Sequence, residues 1–233
     1  MRQYFNSTRS ILYSLILTAP LLGIYELGIN LIFKDSFYEV RNTGDIMLRK
    51  MGQLLHLENP WILSVALIAV FTTYMIIASR REILPPIRSV YFPAMLAESI
   101  LWGSVMFVIL TLLSSLPLQL DGFATRMARY NLALGAGVYE ELVFRAILVP
   151  AILVVFRRGF GFNDGVAQTL AVIGTALIFA SFHLLMEQFV LLVYIQRFAG
   201  GLILAILFLK RGYGIAVYSH VTFNLLTLIL TEF

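Results

Sequence analysis

The chain of 233 residues contains no cysteine and little charge, since Asp, Glu, Lys and Arg together make up 13% of it. Without cysteine, disulfide bonds and metal sites built on thiolates are excluded. With so few charges and 60% hydrophobic residues, a soluble domain of this size is excluded as well, because it could not bury that much apolar surface. The composition therefore predicts a protein immersed in a lipid bilayer.

Further features narrow the class of protein. The net charge of +4 does not indicate a nucleic-acid partner, because most basic residues stand at the ends of apolar segments, where they anchor helices in a membrane. No internal repeat or low-complexity tract is present in the sequence. The first apolar run is longer than that of a cleaved signal peptide, lacks a small-residue cleavage site and contains Glu26, so it is expected to remain as a membrane segment.

Seven apolar segments approach the roughly 20 residues that a helix needs to cross a bilayer. We therefore expect an all-α fold, a polytopic transmembrane helical bundle with about seven spanning segments. The longest polar connection, residues 34–60, contains a stretch with helical periodicity at 45–57, which we expect on the membrane surface. The apolar segments cover residues 10–33, 61–78, 92–116, 131–156, 166–185, 189–209 and 214–230.

Basic residues in the connections predict the orientation of the bundle, because short cytoplasmic loops are rich in Lys and Arg. One set stands in short connections with few acidic residues, so we expect the amino terminus inside and the carboxyl terminus outside. That set comprises Arg2, Arg9, Arg80, Arg81, Arg88, Arg157, Arg158, Lys210 and Arg211. The opposite set comprises Lys34, Arg41, Arg49, Lys50, Arg126 and Arg129.

The fourth segment carries three charged residues, Glu140, Glu141 and Arg145. A charge near the centre of a bilayer costs roughly 2.5–3.5 kcal/mol on insertion scales. Glu141 and Arg145 are four residues apart, so they share a helical face in the order that favours an ion pair. This pairing would leave Glu140 unpaired, pointing about 100° around the helix, as suits a general base. The alternative is that all three residues form a structural polar contact between helices.

Two of the three histidines, His183 and His220, fall within apolar segments. Asn224 follows His220 by four residues and Phe179 precedes His183 by four, so each pair shares a helical face. A carboxylate and an imidazole can deprotonate a water, and an imidazole N–H and an amide can stabilise the oxyanion that forms. These groups together favour peptide hydrolysis, although a single histidine on an apolar helix is more often a core residue.

Three short motifs resemble those of one known family. Glu140-Glu141-Leu142-Val143-Phe144-Arg145 looks like its EExxxR motif, Phe179-Ala180-Ser181-Phe182-His183 like FxxxH, and His220-Val221-Thr222-Phe223-Asn224 like HxxxN, in that order. The family is the CAAX protease and bacteriocin-processing family of intramembrane proteases, also called CPBP or Abi. The resemblance extends from about Asn131 to the carboxyl terminus, whereas the first three segments carry no motif that matches.

The resemblance implies a role for each motif residue. Glu140 and His183 would activate a water molecule for attack on a peptide bond. His220 and Asn224 would form the oxyanion site. The supporting residues would be Glu141, Arg145 and Phe179.

The resemblance also suggests how the chain is organised. We expect residues 1–130 to form N-terminal membrane segments, with three helices and one long polar loop, and residues 131–233 to form a catalytic core of four helical segments. No cofactor is expected. The second possibility is a zinc ion bound by Glu140, His183 and His220, although the H-E-x-x-H spacing of many zinc proteases is absent.

Residues of one site must lie at one depth in the membrane, and this requirement constrains the sixth segment. At 1.5 Å per residue, Glu140 and His220 fall well inside their segments, whereas His183 stands a few residues before the fifth segment ends. We therefore expect residues 186–197 to be partly re-entrant or bent, and the sixth helix proper to start near Arg197.

These features predict an intramembrane endopeptidase in the plasma membrane of a prokaryote, acting on a membrane-tethered, lipid-modified or leader-peptide substrate. The expected partners are that substrate and the bilayer, with no nucleic acid, and the oligomeric state is left open. One alternative is a non-catalytic immunity or scaffold protein of the same family. Another is a proton-coupled transporter, because Glu and His inside a membrane also suit proton relays. We expect Glu26 and Glu98 either to face a cavity through which the substrate enters or to hydrogen-bond a neighbouring helix.

Overall fold

The computed structural model describes residues 2–32, 41–54, 85–113, 126–184 and 188–231, with short helical pieces between residues 65 and 77. In these ranges the chain forms helices and connections and contains no β-strand, which confirms the all-α prediction. The helices are α1 (Arg2–Thr8), α2 (Ile11–Ile32), α3 (Thr43–Leu54), α4 (Tyr91–Leu113), α5 (Arg126–Gly135), α6 (Val149–Val154), α7 (Asp164–His183), α8 (Leu191–Arg211) and α9 (Tyr213–Thr231).

Five of the described helices, α2, α4, α7, α8 and α9, are long and apolar enough to cross a membrane. Large apolar side chains such as Leu31, Leu112 and Leu191 are exposed on their outer faces, as expected where lipid replaces water. The chain is therefore a multi-pass helical membrane protein. The predicted number of about seven spans is not confirmed, because most of segment 61–78 lies outside the described residues and segment 131–156 is not a uniform α-helix.

That fourth segment contains wide helical turns at its most polar point. After α5 the chain forms π-helical turns at Ala136–Glu140 and Leu142–Leu148, and a third at Val155–Gly159 follows α6. A π-turn bonds each residue to the fifth one along, and such turns are frequent at functional sites. Glu140 and Glu141 stand where the first two of these turns meet, and both are buried inside the bundle.

Helix α9 lies at the centre of the described bundle and contacts α2, α4, α5, α8 and the first π-turn. Gly103 of α4 permits a close approach to it, because a Cβ there would lie only 2.5 Å from the Cβ of Thr222. Small residues at such crossings are typical of packed membrane helices. Because α9 contacts both halves of the chain, His220 on α9 is held at the middle of the molecule.

The start of helix α8 differs from the prediction for residues 186–197. Residues 188–190 are extended and α8 begins at Leu191, so the expectation that the helix starts near Arg197 is wrong. The reason is that Leu191, Leu192 and Ile195 form apolar, exposed first turns, which a lipid-facing helix accommodates without a break. Residues 185–187 lie outside the described part of the chain.

Helix α3 also differs from expectation in one respect. A helix forms within the predicted region, at Thr43–Leu54. Its first turn is not on a membrane surface, however, because Gly44 and Asp45 are buried in the protein and Gly44 lies against the backbone of Glu140. The polar loop of the N-terminal half therefore reaches the motif residues of the C-terminal half.

Arg211, the last residue of α8, ties together three elements far from Glu140. Its guanidinium forms a bidentate ion pair with Glu98 of α4: Nε donates to Oε1, and Nη2 donates to Oε2 at 2.7 Å. Nη2 also donates to Thr8 Oγ1 at 3.0 Å, and the guanidinium lies over the Phe5 ring of α1. The Tyr4 hydroxyl donates to Glu98, and burial together with this carboxylate raises the pKa of Tyr4 to about 12. Of the two expectations for Glu98, the bond to neighbouring helices is the correct one.

Replacing Glu98 with Ala should destabilise the protein, because Arg211 would stay buried without its counter-ion. Removing one partner of a buried ion pair costs about 3–5 kcal/mol, and we expect the lower end because the Glu98 side chain is 16% exposed. Denaturant titration in detergent micelles measures the loss. The control is Arg157→Ala, which breaks an ion pair with exposed partners and should cost less than about 1 kcal/mol. Equal losses in the two variants would contradict the role of this ion pair.

Candidate active site

The imidazole of His220 lies between the two adjacent carboxylates of the EExxxR motif. Its Nδ1 is 2.8 Å from Glu141 Oε1, and its Nε2 is 3.9 Å from Glu140 Oε2. In a regular α-helix successive side chains point about 100° apart. Here the wide turns at this point let both carboxylates contact one ring on α9.

Glu141 also forms the ion pair that the sequence predicts with Arg145, at 3.1 Å from Arg145 Nη1 to Oε1. Both side chains are almost fully buried. Arg145 Nη2 donates to the carbonyl of Gly201 on α8 at 3.3 Å, and the guanidinium lies 4.5 Å from the centre of the Phe179 ring. Glu141 therefore contacts both Arg145 and His220. Arg145 in turn connects the π-helical turn to α7 and α8.

His183 is the last residue of α7 and is 7% exposed. Its Nδ1 is 2.8 Å from the carbonyl oxygen of Phe179. The Phe179 ring lies between the two histidines, with ring centres 4.7 Å from His183 and 6.3 Å from His220. Phe179 is thus the apolar centre around which both imidazoles and Arg145 are arranged, which gives the first position of the FxxxH motif a physical role.

The hydrogen bonds of the two rings determine which nitrogen is available for chemistry. A carbonyl oxygen only accepts, so Nδ1 of His183 carries a hydrogen, and the Glu141 carboxylate sets the same arrangement for His220. Each neutral ring therefore presents an unprotonated Nε2, which can accept a proton or a hydrogen bond from water. His220 can donate to an oxyanion through Nε2 only when its ring is protonated.

Asn224 lies one turn beyond His220 on α9, and its amide donates to the carbonyl of Ala133 on α5 at 3.4 Å. The structure thus brings six of the seven predicted residues into one connected cluster, and Asn224 adjoins it with a hydrogen bond directed elsewhere. Its oxyanion role stays a prediction. The six residues of the cluster are Glu140, Glu141, Arg145, Phe179, His183 and His220.

Two residues near the site, Asn42 and Arg197, belong to no motif. Sequence reasoning gave Asn42 no role and used Arg197 to mark the expected start of the sixth helix. Asn42, just before α3, donates from Nδ2 to Glu140 Oε1 at 3.1 Å, so Glu140 is not the unpaired carboxylate that its spacing suggested. The positive charge of Arg197 on α8 acts on both Glu140 and His183. An Asn two residues before a Gly-Asp pair indicates a helix start, but no local pattern reveals a contact 98 residues away along the chain.

Glu26, the other residue left open, belongs to a buried network beside the site. It accepts from the Tyr139 hydroxyl at 2.5 Å and pairs with Arg41 and Arg49. Both arginines also bind Asp45, at 2.6 Å each. The network joins α2, α3 and the residue directly before Glu140, so Glu26 bonds neighbouring elements rather than facing the cavity.

The donor chemistry of this site partly fits a zinc ion. Metal-bound histidines usually donate their other N–H to a carbonyl or a carboxylate, as His183 and His220 do here. Within the described ranges, however, no three His, Asp or Glu side chains are arranged to hold one ion together. If a zinc ion did bind here, its ligands would be Glu140, His183 and His220. The ion would then supply a Lewis acid for the attacking water.

A comparison with known families supports this description. The chain is a helical membrane protein whose C-terminal part carries the three motifs of a class of membrane endopeptidases. Residues 123–226 match the family described as type II CAAX prenyl endopeptidase Rce1-like, which confirms the resemblance to the CAAX protease and bacteriocin-processing family. No curated protein and no solved structure matches the chain.

Replacing Arg145 with Met should cost about 3–5 kcal/mol of unfolding free energy, because Glu141 would remain buried without its cation. Denaturant titration in detergent micelles measures the loss. Adding Glu141→Gln to this variant should recover part of the stability, since the uncompensated charge is then removed. Arg158→Met is the control, because Arg158 is exposed and its loss should change stability by less than about 0.5 kcal/mol. A similarly small effect at Arg145 would contradict the ion pair.

Proposed function

We propose that the protein is an intramembrane endopeptidase in which Glu140 activates a water molecule. The observation that carries the proposal is the placement of Glu140 Oε2 opposite the Nε2 of His220, in a segment that matches a family of CAAX endopeptidases. A gap of 3.9 Å is too long for a direct hydrogen bond, and one water can contact both atoms. Glu140, His183 and His220 are buried, with 5–7% of their surface exposed, and we propose that the attacking water enters at this small exposed area.

The proposed reaction is a hydrolysis in which no atom comes from a cofactor. Glu140 takes a proton from the water, with His183 accepting a hydrogen bond, and the hydroxide adds to the carbonyl carbon of the peptide bond. The resulting oxyanion is stabilised by His220, whose Nε2 has first taken up a proton from solvent, and by Asn224, once its amide turns from Ala133. His220 keeps that proton through the cycle. Glu140 then passes its proton to the leaving amine as the C–N bond breaks. The products are a carboxylic acid, which keeps the second hydrogen of the water, and an amine; transfer of that proton between them gives a carboxylate and an ammonium group.

The proposed substrate is a membrane-tethered protein, a lipid-modified protein or a leader peptide. A site inside an apolar bundle favours chains that already lie in or on the bilayer. We further propose that the protein resides in a prokaryotic plasma membrane with its amino terminus in the cytoplasm. The physical basis for this orientation is that Arg9, Arg88 and Arg211 lie near one end of the bundle. Gly212 lies against the backbone of Arg9, and the backbone N–H of Arg88 donates to Tyr13 of α2.

Replacing Glu140 with Gln should reduce cleavage to background, because the amide cannot accept the proton from water. The protein should still insert and fold, since Gln retains an oxygen that can accept from Asn42. The assay uses protein reconstituted in liposomes and a farnesylated peptide with a carboxyl-terminal CAAX sequence, with products identified by mass spectrometry. Asp164→Asn, at an exposed carboxylate on α7, is the matched control and should cleave normally.

The same assay separates the alternatives. Full activity in Glu140→Gln would refute the proposed base. No cleavage by either form, together with a biological effect that survives Glu140→Ala and His183→Ala, would favour a non-catalytic immunity or scaffold protein. Proton-coupled flux into the liposomes without cleavage would favour a transporter. Comparing the peptides of cells that carry wild-type or Glu140→Ala protein would then identify the natural substrate and the bond cleaved.

The zinc alternative makes a different prediction from the metal-free mechanism. If Glu140 acts directly, cleavage of the same peptide should be unchanged after dialysis against a strong chelator. A zinc-dependent site should lose activity under these conditions and regain it when zinc is restored. Elemental analysis of the purified protein provides a readout besides activity, and one zinc per chain would count against the metal-free mechanism.

A further inference from the structure

Asn42 lies outside the matched segment and yet contacts the carboxylate at the centre of the site. It is buried, with 8% of its surface exposed. Its amide nitrogen donates to Glu140 Oε1 at 3.1 Å, whereas Glu140 Oε2 faces His220 Nε2. The two oxygens of one carboxylate therefore have different surroundings, and only Oε2 is directed toward the histidine.

Hydrogen bonds at the start of α3 determine how the Asn42 amide points. Its Oδ1 accepts from the backbone N–H of Gly44 at 2.8 Å and of Asp45 at 3.4 Å. A backbone N–H can only donate, so the oxygen must face the helix start and the NH2 group must face Glu140. The residue that caps α3 is thus also the residue that donates to Glu140.

The backbone of Asn42 is fixed as well. Its N–H donates to the hydroxyl of Tyr25 at 3.2 Å, and that hydroxyl donates to Asp45 Oδ2 at 2.9 Å. Arg41 Nη1 donates to the same oxygen at 2.6 Å. The Tyr139 hydroxyl donates to Glu26, which also pairs with Arg41. The network holds the Asn42 amide in place before any substrate arrives.

Close packing brings this helix start against the motif. A Cβ on Gly44 would lie 2.8 Å from the backbone nitrogen of Glu140 and 2.9 Å from the carbonyl carbon of Tyr139. Only glycine permits such an approach without a shift of one backbone away from the other. Gly44 thereby sets the short distance across which the Asn42 amide reaches Glu140.

We propose that Asn42 is a positioning residue of the active site, which occupies Oε1 of Glu140 so that Oε2 meets the attacking water. The proposal rests on the proposed function of Glu140 as the base. The terminal torsion of a glutamate is broad, so an anchor on one oxygen is needed to hold the other in a productive direction. The N-terminal half of the chain would in this way complete a site whose motif residues all lie in the C-terminal half.

Three substitutions separate positioning from helix capping. Asn42→Ser and Asn42→Asp keep an oxygen that can cap α3, but neither supplies an N–H to Glu140. Asn42→Ala loses both functions. We expect all three variants to lower kcat roughly 10- to 100-fold, with KM for the farnesylated CAAX peptide changed less than about threefold. Thermal stability should fall in the Ala variant, which loses the cap, and in the Asp variant, which places a second buried carboxylate against Glu140. The Ser variant should keep most of it, so it is the variant that separates positioning from capping.

A second readout is independent of proteolysis. Dicyclohexylcarbodiimide modifies protonated carboxyl groups in apolar surroundings, and mass spectrometry locates the modified residue. A carboxylate that has lost a hydrogen-bond donor is protonated more of the time, so labelling of Glu140 at neutral pH should rise in Asn42→Ser. The matched control is Asn131→Ser, because Asn131 is also a buried amide but donates to the carbonyl of Tyr25. It should leave kcat within about twofold and the labelling of Glu140 unchanged.

The possible results distinguish this inference from the proposed function. Wild-type kcat in Asn42→Ser and Asn42→Asp would overturn it, since capping alone would then explain the residue. If wild-type protein cleaves no better than Glu140→Gln, the proposed function fails for this substrate, and labelling alone decides the matter. Increased labelling in Asn42→Ser would still support positioning of Glu140, and unchanged labelling would overturn it.

Discussion

The balance of charge around two adjacent buried carboxylates is the constraint on which the rest of the site depends. Neither Glu140 nor Glu141 could remain ionised in an apolar bundle without partners. Glu141 is neutralised by Arg145 and bonded to His220, while Glu140 accepts from Asn42 and lies in the field of Arg197. The π-turns make this possible, because they direct both carboxylates toward one ring on α9. The two residues thereby acquire different surroundings, and only Glu140 Oε2 is directed toward Nε2 of that ring.

The same requirement explains why the N-terminal half cannot be a passive membrane anchor. Asn42 donates to Glu140, and its position depends on Tyr25, Asp45 and the arginines that bind Asp45. Breaking a buried network of this kind exposes several charges at once to an apolar setting. The division of the chain at residues 130 and 131 stays a prediction about organisation. The contacts themselves cross this division at the carboxylate of Glu140, where Asn42 donates to Oε1.

Much of this arrangement could be predicted from the sequence because it follows from spacing. Four-residue spacing predicted the Glu141–Arg145 pair, and three motifs on separate apolar segments predicted that His183, His220 and Asn224 would converge on Glu140. Asn224 adjoins the cluster but bonds Ala133 instead. The contacts that could not be predicted from the sequence depend on packing between residues far apart in the chain. Asn42 and Glu140 are 98 residues apart, and no periodicity reports such a contact. The start of α8 was mispredicted because depth was inferred from straight α-helices, whereas the fourth segment contains π-turns that change its rise and direction.

The distribution of charge within the bundle also bears on the choice between hydrolysis and transport. A proton relay needs titratable groups within hydrogen-bond reach across the membrane. In the described ranges the buried charges fall into two groups, one around Glu140 and one around Arg211. Arg145 bonds Gly201, and Arg211 stands ten residues further along α8, about 15 Å away. Between the groups α9 contributes Ile215, Ala216 and Val217, all fully buried and apolar. Buried charges that form two separate groups, rather than a continuous chain across the membrane, suit a hydrolase that works on a bound substrate better than a carrier that moves protons through the bundle.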